Sequence, residues 1–522
     1  MTRSALFLFA LAAAPLAAQN GRAVSKYPAA PAAAMAAIRE ADIRKDLYAL
    51  AGDAMRGREA GSLDELRASM WIADQLRAIG VKPAGENGTY FQWWNMKRTR
   101  LSTAASSISV GGTALPMWKD VAPSGNAAAD ATGPTIFAGD GSDSTLDVRG
   151  KVVVATMSAP AQTVNPQGTN SFEYRYATAA INATQNRFRG RGAAALIVVA
   201  DSTADIAFDG VAAIRARGTY DVEGGVPRFA PNAAAGAGRG GAAGGGRGGN
   251  AGGAAPPVVL LARRAMLASL RADGQPAEIH LRVERFDAPS VNIVGTIRGT
   301  DAALRDEYVL YSSHQDHDGV RYAVNGDSIW NGADDNGSVS VALLATARAF
   351  MKAPGKRSVL FVYHGAEERG LLGSRWHAAH PVVPIDKIVA VLNGDMIGRN
   401  NPDSAALLGV QPPHLSSSEL VAMALAANDK TGKFKLDSLW DRPTHPEGWY
   451  FRSDHVPYAR LNVPSIEYST NLHPDYHTVR DEPSRIDYAK LTRMTQWMYL
   501  TGWYVANVPK RPALEPGFKL ER

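Results

Sequence analysis

Short apolar runs and longer amphipathic stretches alternate along the second half of the chain. Four runs have the length and composition of buried strands: Val291–Ile297, Tyr308–Ser313, Ser358–Tyr363 and Ile388–Asn393. Three longer stretches carry apolar residues at helical spacing: Ser338–Met351, Gly370–Ala379 and Ser416–Ala427. Strands that alternate with helices predict an α/β fold, with a mostly parallel mixed sheet sandwiched by helices. We assign residues 289–510 to this domain.

The N-terminal region has a helical pattern with a turn-rich link in its middle. Two sets of apolar residues are spaced for one face of a helix: Ile38, Ile43, Leu47 and Leu50, then Leu66, Met70, Ile72, Leu76 and Ile79. Residues 51–61 join the two helices and are rich in glycine, alanine and charge. We interpret residues 34–114 as the N-terminal part of the same α/β domain.

The middle of the chain, residues 115–288, has the pattern of a separate β-rich domain. Its strand candidates are Gly150–Ala155, Ala193–Ala200 and Pro257–Leu261, and a helical stretch, Arg264–Arg271, follows the last of them. Residues 235–253 are almost all glycine and alanine, which predicts a flexible loop because they have little side chain to bury. Its two arginines resemble RNA-binding Arg-Gly tracts, but a low-complexity surface insertion is the favoured interpretation.

Composition narrows the classes of function. The length of 522 residues suggests two to four domains, and 45% apolar with 20% charged residues is an ordinary globular composition. A net charge of +6 is small for this length and does not indicate a nucleic-acid partner. The absence of cysteine excludes disulfides, thiolate metal ligands and cysteine nucleophiles.

The first 18 residues resemble a secretory signal peptide. Arg3 supplies the positive charge, Ala5–Ala14 forms a short apolar run, and small residues precede a cleavage point near Ala18. The alternative is an uncleaved anchor helix, but the run is shorter than the roughly 18–20 residues that a membrane span needs. We therefore predict an exported, periplasmic or secreted protein with no stable membrane anchor.

Acidic and histidine residues cluster where the predicted strands end and where one helix begins. The clusters are His314-Gln-Asp316, Gly332–Asn336 with Asp334, Glu367-Glu368, Asn393-Gly-Asp395 and Tyr476-His477. Taken singly, each has a structural alternative, such as a helix cap or a solvated acidic face. The carboxyl ends of parallel strands meet at one edge of the sheet, so together the clusters predict a single site. Carboxylate and imidazole ligands without sulfur suit zinc, manganese or cobalt in a catalytic setting.

These motifs resemble the co-catalytic di-zinc aminopeptidase family, whose relatives include glutamate carboxypeptidase, the glutaminyl cyclases and transferrin receptor. The motifs that carry the resemblance are His314-Gln-Asp-His317, Asn331–Asn336, Ala366–Ser374, Asn393–Gly398, Arg452–His455 and Tyr476–Thr478 followed by Asp481. They lie within residues 290–500, in the order of the family. The middle domain resembles the protease-associated (PA) domain often inserted in these enzymes.

The resemblance implies two zinc ions per chain and assigns five metal ligands. His314 and Asp395 would bind one zinc, Glu368 and His477 the other, and Asp334 would bridge both. In the family the peptide bond after the bridging aspartate is often cis, which predicts a cis bond between Asp334 and Asp335.

The resemblance also assigns three residues to catalysis. Glu367 would be the general base, because a carboxylate that binds no metal must take the proton of a water that two metals activate. Asp316 would orient the ring of His314, and Tyr476 would donate a hydrogen bond to the oxyanion.

Peptides are the expected substrates, and aminopeptidase activity is the leading prediction. A carboxypeptidase or dipeptidase of the same family would need a cation for the substrate carboxylate, and Arg399, Arg442 and Arg452 are candidates. A receptor-like binding protein on the same fold is the alternative of another class. The oligomeric state and the preferred side chain are not indicated by the sequence.

Overall fold

A computed structural model describes residues 27–160, 172–224 and 258–520. The predicted signal peptide and the glycine- and alanine-rich segment 235–253 lie outside the described residues. Within them, no helix is both long and apolar enough to cross a membrane.

The strands are β1 Lys82–Pro83, β2 Phe91–Trp94, β3 Met96–Leu101, β4 Ser107–Val110, β5 Thr113–Ala114, β6 Val121–Pro123, β7 Ala129–Phe137, β8 Val152–Thr156, β9 Ala195–Val199, β10 Thr219–Val222, β11 Val258–Ala262, β12 Pro276–Leu281, β13 Val283–Asp287, β14 Ser290–Ile297, β15 Tyr308–His314, β16 Gly319–Val324, β17 Asp327–Trp330, β18 Ser358–His364, β19 Ile388–Gly394, β20 Ser404–Leu408, β21 Lys435–Leu436 and β22 Ser465–Ser469. The α-helices are α1 Ala32–Met35, α2 Glu40–Ala51, α3 Leu63–Ile79, α4 Phe172–Phe188, α5 Ser202–Ile206, α6 Phe208–Arg217, α7 Leu267–Leu270, α8 Val339–Lys352, α9 Leu372–Ala379, α10 Ser418–Lys430, α11 Val456–Ala459 and α12 Tyr488–Asn507.

The larger sheet is mixed, with a parallel centre. Its strand order is β1-β14-β18-β15-β19-β22-β20-β21, and β2 also pairs with β14. Strands β18, β15, β19 and β22 run parallel, whereas β14 and β20 run antiparallel to their neighbours. The predicted α/β fold is confirmed, and the predicted strands and helices of residues 290–430 match the observed ones to within about three residues.

Alternating side chains cover this sheet with two apolar layers. In β15, Val309 and Tyr311 join a core formed with helices α2, α8, α10 and α12, while Leu310 joins a smaller core on the opposite face. In β18, Phe361 joins the first of these cores and Leu360 joins the second. Because successive side chains of a strand point to opposite faces, a continuous apolar run is buried on both sides.

A second, eight-stranded sheet lies between β2 and β14 in the chain. Its order is β5-β4-β12-β7-β8-β9-β11-β6, with β7, β8, β9 and β11 parallel. The sequence interpretation of this region as β-rich was incomplete, because α4, α5 and α6 belong to it. Their alanine-rich faces pack on the sheet. We call residues 107–281 the second-sheet unit; the predicted domain boundaries and the PA assignment stay predictions.

Candidate metal centre

The parallel strands of the larger sheet bring the predicted side chains to one edge. His314 is the last residue of β15, and Asp395 directly follows β19. Glu367 and Glu368 lie in a single 3₁₀ turn just beyond β18, and His477 lies in the loop that follows β22. Residues far apart in the sequence therefore meet beyond the carboxyl ends of neighbouring strands, as open α/β sheets require.

The acidic and histidine side chains form two adjoining groups that could each hold a metal ion. The first group contains His314, Asp335 and Asp395, and the second contains His317, Asp335, Glu368 and His477. Within each group one possible ligand atom per residue lies within 4.8 Å of the others. The distance from His314 Nε2 to Asp335 is 3.2 Å, and that from His477 Nε2 to Asp335 is 3.0 Å. Asp335 thus joins the two groups through its two carboxylate oxygens.

The geometry and chemistry of these groups fit zinc ions. Two ligands bound at about 2.0–2.1 Å in a tetrahedral arrangement lie roughly 3.3 Å apart, close to the separations observed here. Within the described residues, His314 Nε2, Glu368 Oε1 and Asp395 Oδ1 are buried without a hydrogen-bond partner. Buried carboxylates are stable only when paired with cations or hydrogen-bond donors. Oxygen and imidazole ligands complete the match to zinc.

The structure places Asp335, not Asp334, between the two groups. The Asp334 carboxylate accepts a hydrogen bond from the Gly398 amide at 2.6 Å and lies 3.4 Å from His473 Nε2, outside both groups. The prediction that Asp334 bridges the metals therefore does not fit this geometry. The cis peptide bond is likewise one residue later than predicted, between Asp335 and Asn336.

Asp481 holds the turn that presents Asp335. Its carboxylate accepts hydrogen bonds from the amides of Asp334 and Asp335 at 2.9–3.1 Å. This buried residue follows His477 by four positions. The same loop therefore supplies one candidate ligand and fixes the backbone beside another.

Asp316 contacts the site differently from the prediction. His314 Nδ1 lies 3.1 Å from the backbone oxygen of Asp316 and 3.8 Å from its carboxylate. The carboxylate instead accepts hydrogen bonds from the amides of Glu367 and Glu368, at 2.9 and 3.3 Å. Asp316 thus orients the His314 ring mainly through its carbonyl oxygen, and its side chain fixes the turn that carries both glutamates.

Glu367 and Glu368 differ in position and in pKa. Glu368 belongs to the second group, whereas Glu367 belongs to neither and has its carboxylate 3.8 Å from His314 Nε2. Burial raises the pKa of Glu367 well above its usual range against the attraction of His314, and Asp395 adds to the rise. Burial also opposes the ionisation of Glu368, but His477 and His317 hold its pKa well below its usual range. Two neighbouring carboxyls with opposite shifts are typical of one ligand and one acid–base group.

Three site residues were not singled out from the sequence. His317 is fully buried in the second group, although it stood inside the His314-Gln-Asp-His317 motif. Asp318 lies 3.3 Å from His477 Nδ1 and binds Arg321. Arg58, in the turn-rich link, carries no sequence signal beyond its position between two predicted helices.

Arg58 joins the loops that surround the site. Its fully buried guanidinium donates to the carbonyl oxygens of Leu50, Gln315, Asn331 and Gly332 at 2.6–3.2 Å. Burial lowers its pKa to about 10 despite nearby carboxylates, of which Asp316 contributes most, so the group is still charged at neutral pH. The N-terminal link therefore stabilises, through Arg58, the loops that follow the strand ends.

Replacing Arg58 by methionine should destabilise the protein strongly. The change leaves four buried carbonyl oxygens without this donor, and each hydrogen bond to a charged group contributes about 1.5–3 kcal/mol. We expect a loss of at least about 3 kcal/mol in the free energy of unfolding, measured by urea denaturation. Arg39→Met, at an exposed i,i+3 ion pair with Asp42 at the start of α2, is the control and should change stability little. Equal stability of the two variants would contradict this stabilising role.

The sequence profile of peptidase family M28 matches residues 292–501. Residues 292–501 belong to peptidase family M28. This region, the M28 domain, contains four of the strand ends described above and all residues of the two metal-binding groups. The second-sheet unit lies outside the match.

Two curated relatives are similar to part of the chain. The chain is 26% identical over 246 residues to aminopeptidase YwaD of Bacillus subtilis, covering 46% of this chain and 50% of that protein. It is 35% identical over 232 residues to leucine aminopeptidase 1 of Arthroderma otae, covering 42% and 58%. The matches therefore span about half the length of these relatives.

Two solved structures share the fold over most of the chain. An aminopeptidase from Aneurinibacillus sp. strain AM-1 superposes with a TM-score of 0.53 and 18% identity, covering 94% of this chain and 98% of the other. BSAP, a zinc aminopeptidase from Bacillus subtilis, gives a TM-score of 0.55 and 18% identity, covering 90% and 96%. The similarity includes more than the M28 domain, since that domain alone spans residues 292–501.

Proposed function

We propose that this protein is a zinc-dependent aminopeptidase that removes N-terminal residues from peptides. The observation that carries the proposal is the pair of ligand groups that share Asp335, with Glu367 beside them but in neither. Relatives that carry the name aminopeptidase support the same reaction. A neighbouring structure named as a zinc aminopeptidase supports the metal.

The candidate ligands divide between two zinc ions. His314 and Asp395 would hold one ion, Glu368 and His477 the other, and Asp335 both; His317 faces the second group as well. If bound, such ions would polarise the scissile carbonyl and lower the pKa of the attacking water.

Glu367 is the proposed general base. Asp316 fixes its backbone, and its carboxylate lies 3.8 Å from His314 Nε2 but in neither ligand group, so it can take a proton from the attacking water and then give it to the leaving amine. The hydroxyl of Tyr476 accepts a hydrogen bond from Arg452 at 2.9 Å, so its own proton is available for the oxyanion of the tetrahedral intermediate.

Two of the three arginines considered for a carboxypeptidase are already engaged by carboxylates. Arg399 donates to Asp475 at 2.6 Å, and Arg452 donates to Glu447 at 3.0 Å and to Tyr476. Arg442 is exposed. A guanidinium that is paired with a carboxylate is a weak receptor for a second one, because that anion must compete with the first. This favours an aminopeptidase over a carboxypeptidase or a dipeptidase.

A substrate panel tests the proposed function. Purified protein with zinc would be incubated with aminoacyl anilides and with dipeptides that are N-blocked, C-blocked or free at both ends. We expect cleavage of every substrate with a free amino terminus and of none of the N-blocked dipeptides. Cleavage restricted to N-blocked dipeptides would indicate a carboxypeptidase, and requirement for both free termini a dipeptidase. Peptide binding without cleavage would indicate a receptor-like role.

Two zinc ions per chain are the expected metal content. A crystal grown with zinc should give two anomalous peaks at the zinc edge, one near His314 and Asp395 and one near Glu368 and His477. Their expected separation is about 3.5–4 Å, as in other two-metal sites. A single peak under zinc-replete conditions would contradict the shared role of Asp335.

We further propose that the protein is exported to the periplasm or the medium. The support is the signal-like sequence of residues 1–18, which precedes the described residues. N-terminal sequencing of the mature protein should begin near Gln19; an intact Met1 on the exported protein would contradict cleavage.

A further inference from the structure

The second-sheet unit touches the M28 domain through a partly buried ion pair. Arg175, on α4, donates two hydrogen bonds to the Glu447 carboxylate, Nη1 to Oε1 at 2.8 Å and Nη2 to Oε2 at 3.0 Å. The two side chains are only 15% and 12% exposed. A bidentate pair of this kind fixes both position and orientation of the carboxylate.

Glu447 passes this constraint to Arg452. Glu447 Oε2 also accepts a hydrogen bond from Arg452 Nη1 at 3.0 Å, and the Arg452 guanidinium lies 4.7 Å from the centre of the Trp449 ring. Burial raises the pKa of Glu447, whereas the hydrogen bond from Arg175 and the charges of Arg452 and Arg175 lower it. The pKa of Glu447 is therefore below its usual range. The carboxylate is therefore ionised and bound on both sides by guanidinium groups.

Arg452 in turn fixes the hydroxyl of Tyr476. Its Nη2 donates to the Tyr476 oxygen at 2.9 Å. A tyrosine hydroxyl carries one proton and also accepts hydrogen bonds. Because Arg452 occupies the oxygen as a donor, the tyrosine proton must point to another acceptor. The chain Arg175–Glu447–Arg452–Tyr476 thus sets the direction of that proton from outside the M28 domain.

We propose that Arg175 is a positioning residue for peptide hydrolysis, acting through Glu447 and Arg452 on the Tyr476 hydroxyl. This inference rests on the proposed function, because it assigns the Tyr476 proton to the reaction. Arg175 lies in the second-sheet unit and contacts none of the proposed ligands. The second-sheet unit therefore contributes to the rate of the reaction as well as to the fold.

A second contact connects the second-sheet unit, through Asp318, to His477, the residue that follows Tyr476. Arg217, on α6, donates to Asp318 at 3.0 Å, and Asp318 lies 3.3 Å from His477 Nδ1. Asp318 also binds Arg321 and lies 3.5 Å from Arg369, both in the M28 domain. Loss of Arg217 is therefore compensated locally, whereas the described contacts give Glu447 only Arg175 and Arg452 as guanidinium partners. Replacing Arg175 therefore tests the influence of the second-sheet unit on the site without such compensation.

A double-mutant cycle separates positioning from simple attachment of the unit. Arg175→Met, Tyr476→Phe and the double variant would be compared for kcat and KM with an aminoacyl anilide, with zinc content measured in each. We expect Arg175→Met to lower kcat about five- to twentyfold with KM changed less than twofold, since one oriented hydrogen bond to the transition state contributes up to about 10²–10³-fold. In the Tyr476→Phe background, Arg175→Met should have no further effect on kcat.

The matched control is Arg187→Met on the same helix. Arg187 pairs with Asp140 inside the second-sheet unit, so its loss should leave kcat and KM unchanged. Arg175→Lys keeps the charge but cannot bind both carboxylate oxygens in the same plane, and should recover only part of kcat. If Arg175→Met does not fold, Glu447→Gln breaks the same chain on the M28 side and should give the same kcat loss.

Three results would overturn the inference. They are additive effects of Arg175→Met and Tyr476→Phe, an effect on KM alone, or equal losses in Arg175→Met and Arg187→Met. If the wild type cleaves no peptide, the proposed function fails separately, and the positioning is then decided by crystal structures of the wild type and Arg175→Met. Loss of the contact between Arg452 and Tyr476 in the variant supports it; retention at 2.9 Å contradicts it.

Discussion

Replacing Glu367 by glutamine should abolish most turnover while leaving the metal ions in place. The substitution keeps the size of the side chain and removes its basicity. General-base catalysis contributes about 10²–10⁴-fold, and here the same group also protonates the leaving amine. We therefore expect kcat to fall by about 10⁴-fold or more, with two zinc ions, an unchanged melting temperature and unchanged peptide binding.

The control for Glu367→Gln is Glu368→Gln, one residue away. Glu368 belongs to a ligand group and Glu367 does not, so Glu368→Gln should lose one zinc ion as well as activity. Metal content by mass spectrometry and kcat on an aminoacyl anilide decide between them. A Glu367→Gln protein that loses zinc, beside a Glu368→Gln protein that keeps both ions, would show that the two roles are exchanged.

Replacing Asp335 by asparagine should remove at least one of the two zinc ions from the site. Its two carboxylate oxygens face His314 on one side and His477 on the other, and asparagine keeps only one oxygen, because its amide nitrogen cannot replace the other as a ligand. Metals contribute several kcal/mol to stabilising the transition state, so we expect a fall in kcat/KM of at least about 10³-fold. Excess zinc in the assay should not restore the rate.

Asp334→Asn is the matched control, with the same chemical change at the adjacent position. Asp334 accepts from the Gly398 amide through Oδ1 and lies near His473 through Oδ2, so its loss affects the loop and not the ligand set. The variant should keep both zinc ions and stay within about a hundredfold of wild-type metal affinity, as for residues that support ligands. Loss of both ions from Asp334→Asn, with retention in Asp335→Asn, would restore the original sequence assignment.

The sequence was sufficient for the strands that carry the site, but not for the exact bridging residue. Apolar runs such as Tyr308–Ser313 are buried on both faces and can be recognised without knowing their neighbours. The choice between Asp334 and Asp335 depends on which carboxylate the turn Ala333–Ser338 directs inward. Hydrogen bonds from the amides of that turn to the carboxylate of Asp481, 146–147 residues later in the chain, fix it, so no local pattern reveals it.

The contribution of the N-terminal and middle regions was harder to predict for the same reason. Arg58 binds three carbonyl oxygens on distant loops and one near the end of α2, and carbonyl acceptors leave no trace in the sequence. Helices α4 and α6 have many alanines and few large apolar residues. The helical spacing of their apolar residues is therefore a weaker signal than the apolar runs of the strands around them. His317 lies in a recognised motif, yet nothing in the sequence connects it to the ligands. The structure makes the connection, because its ring approaches Glu368 to 2.9 Å.

The spread of the centre along the chain has a consequence for synthesis of the protein. Arg58 lies in the first eighth of the 522 residues, whereas His477 and Asp481 lie in the last tenth. A nascent or truncated polypeptide therefore lacks the last ligand and the carboxylate that shapes the turn around Asp335. The proposed cleavage of peptides therefore requires translation to proceed past Asp481, and a product that stops earlier would lack it.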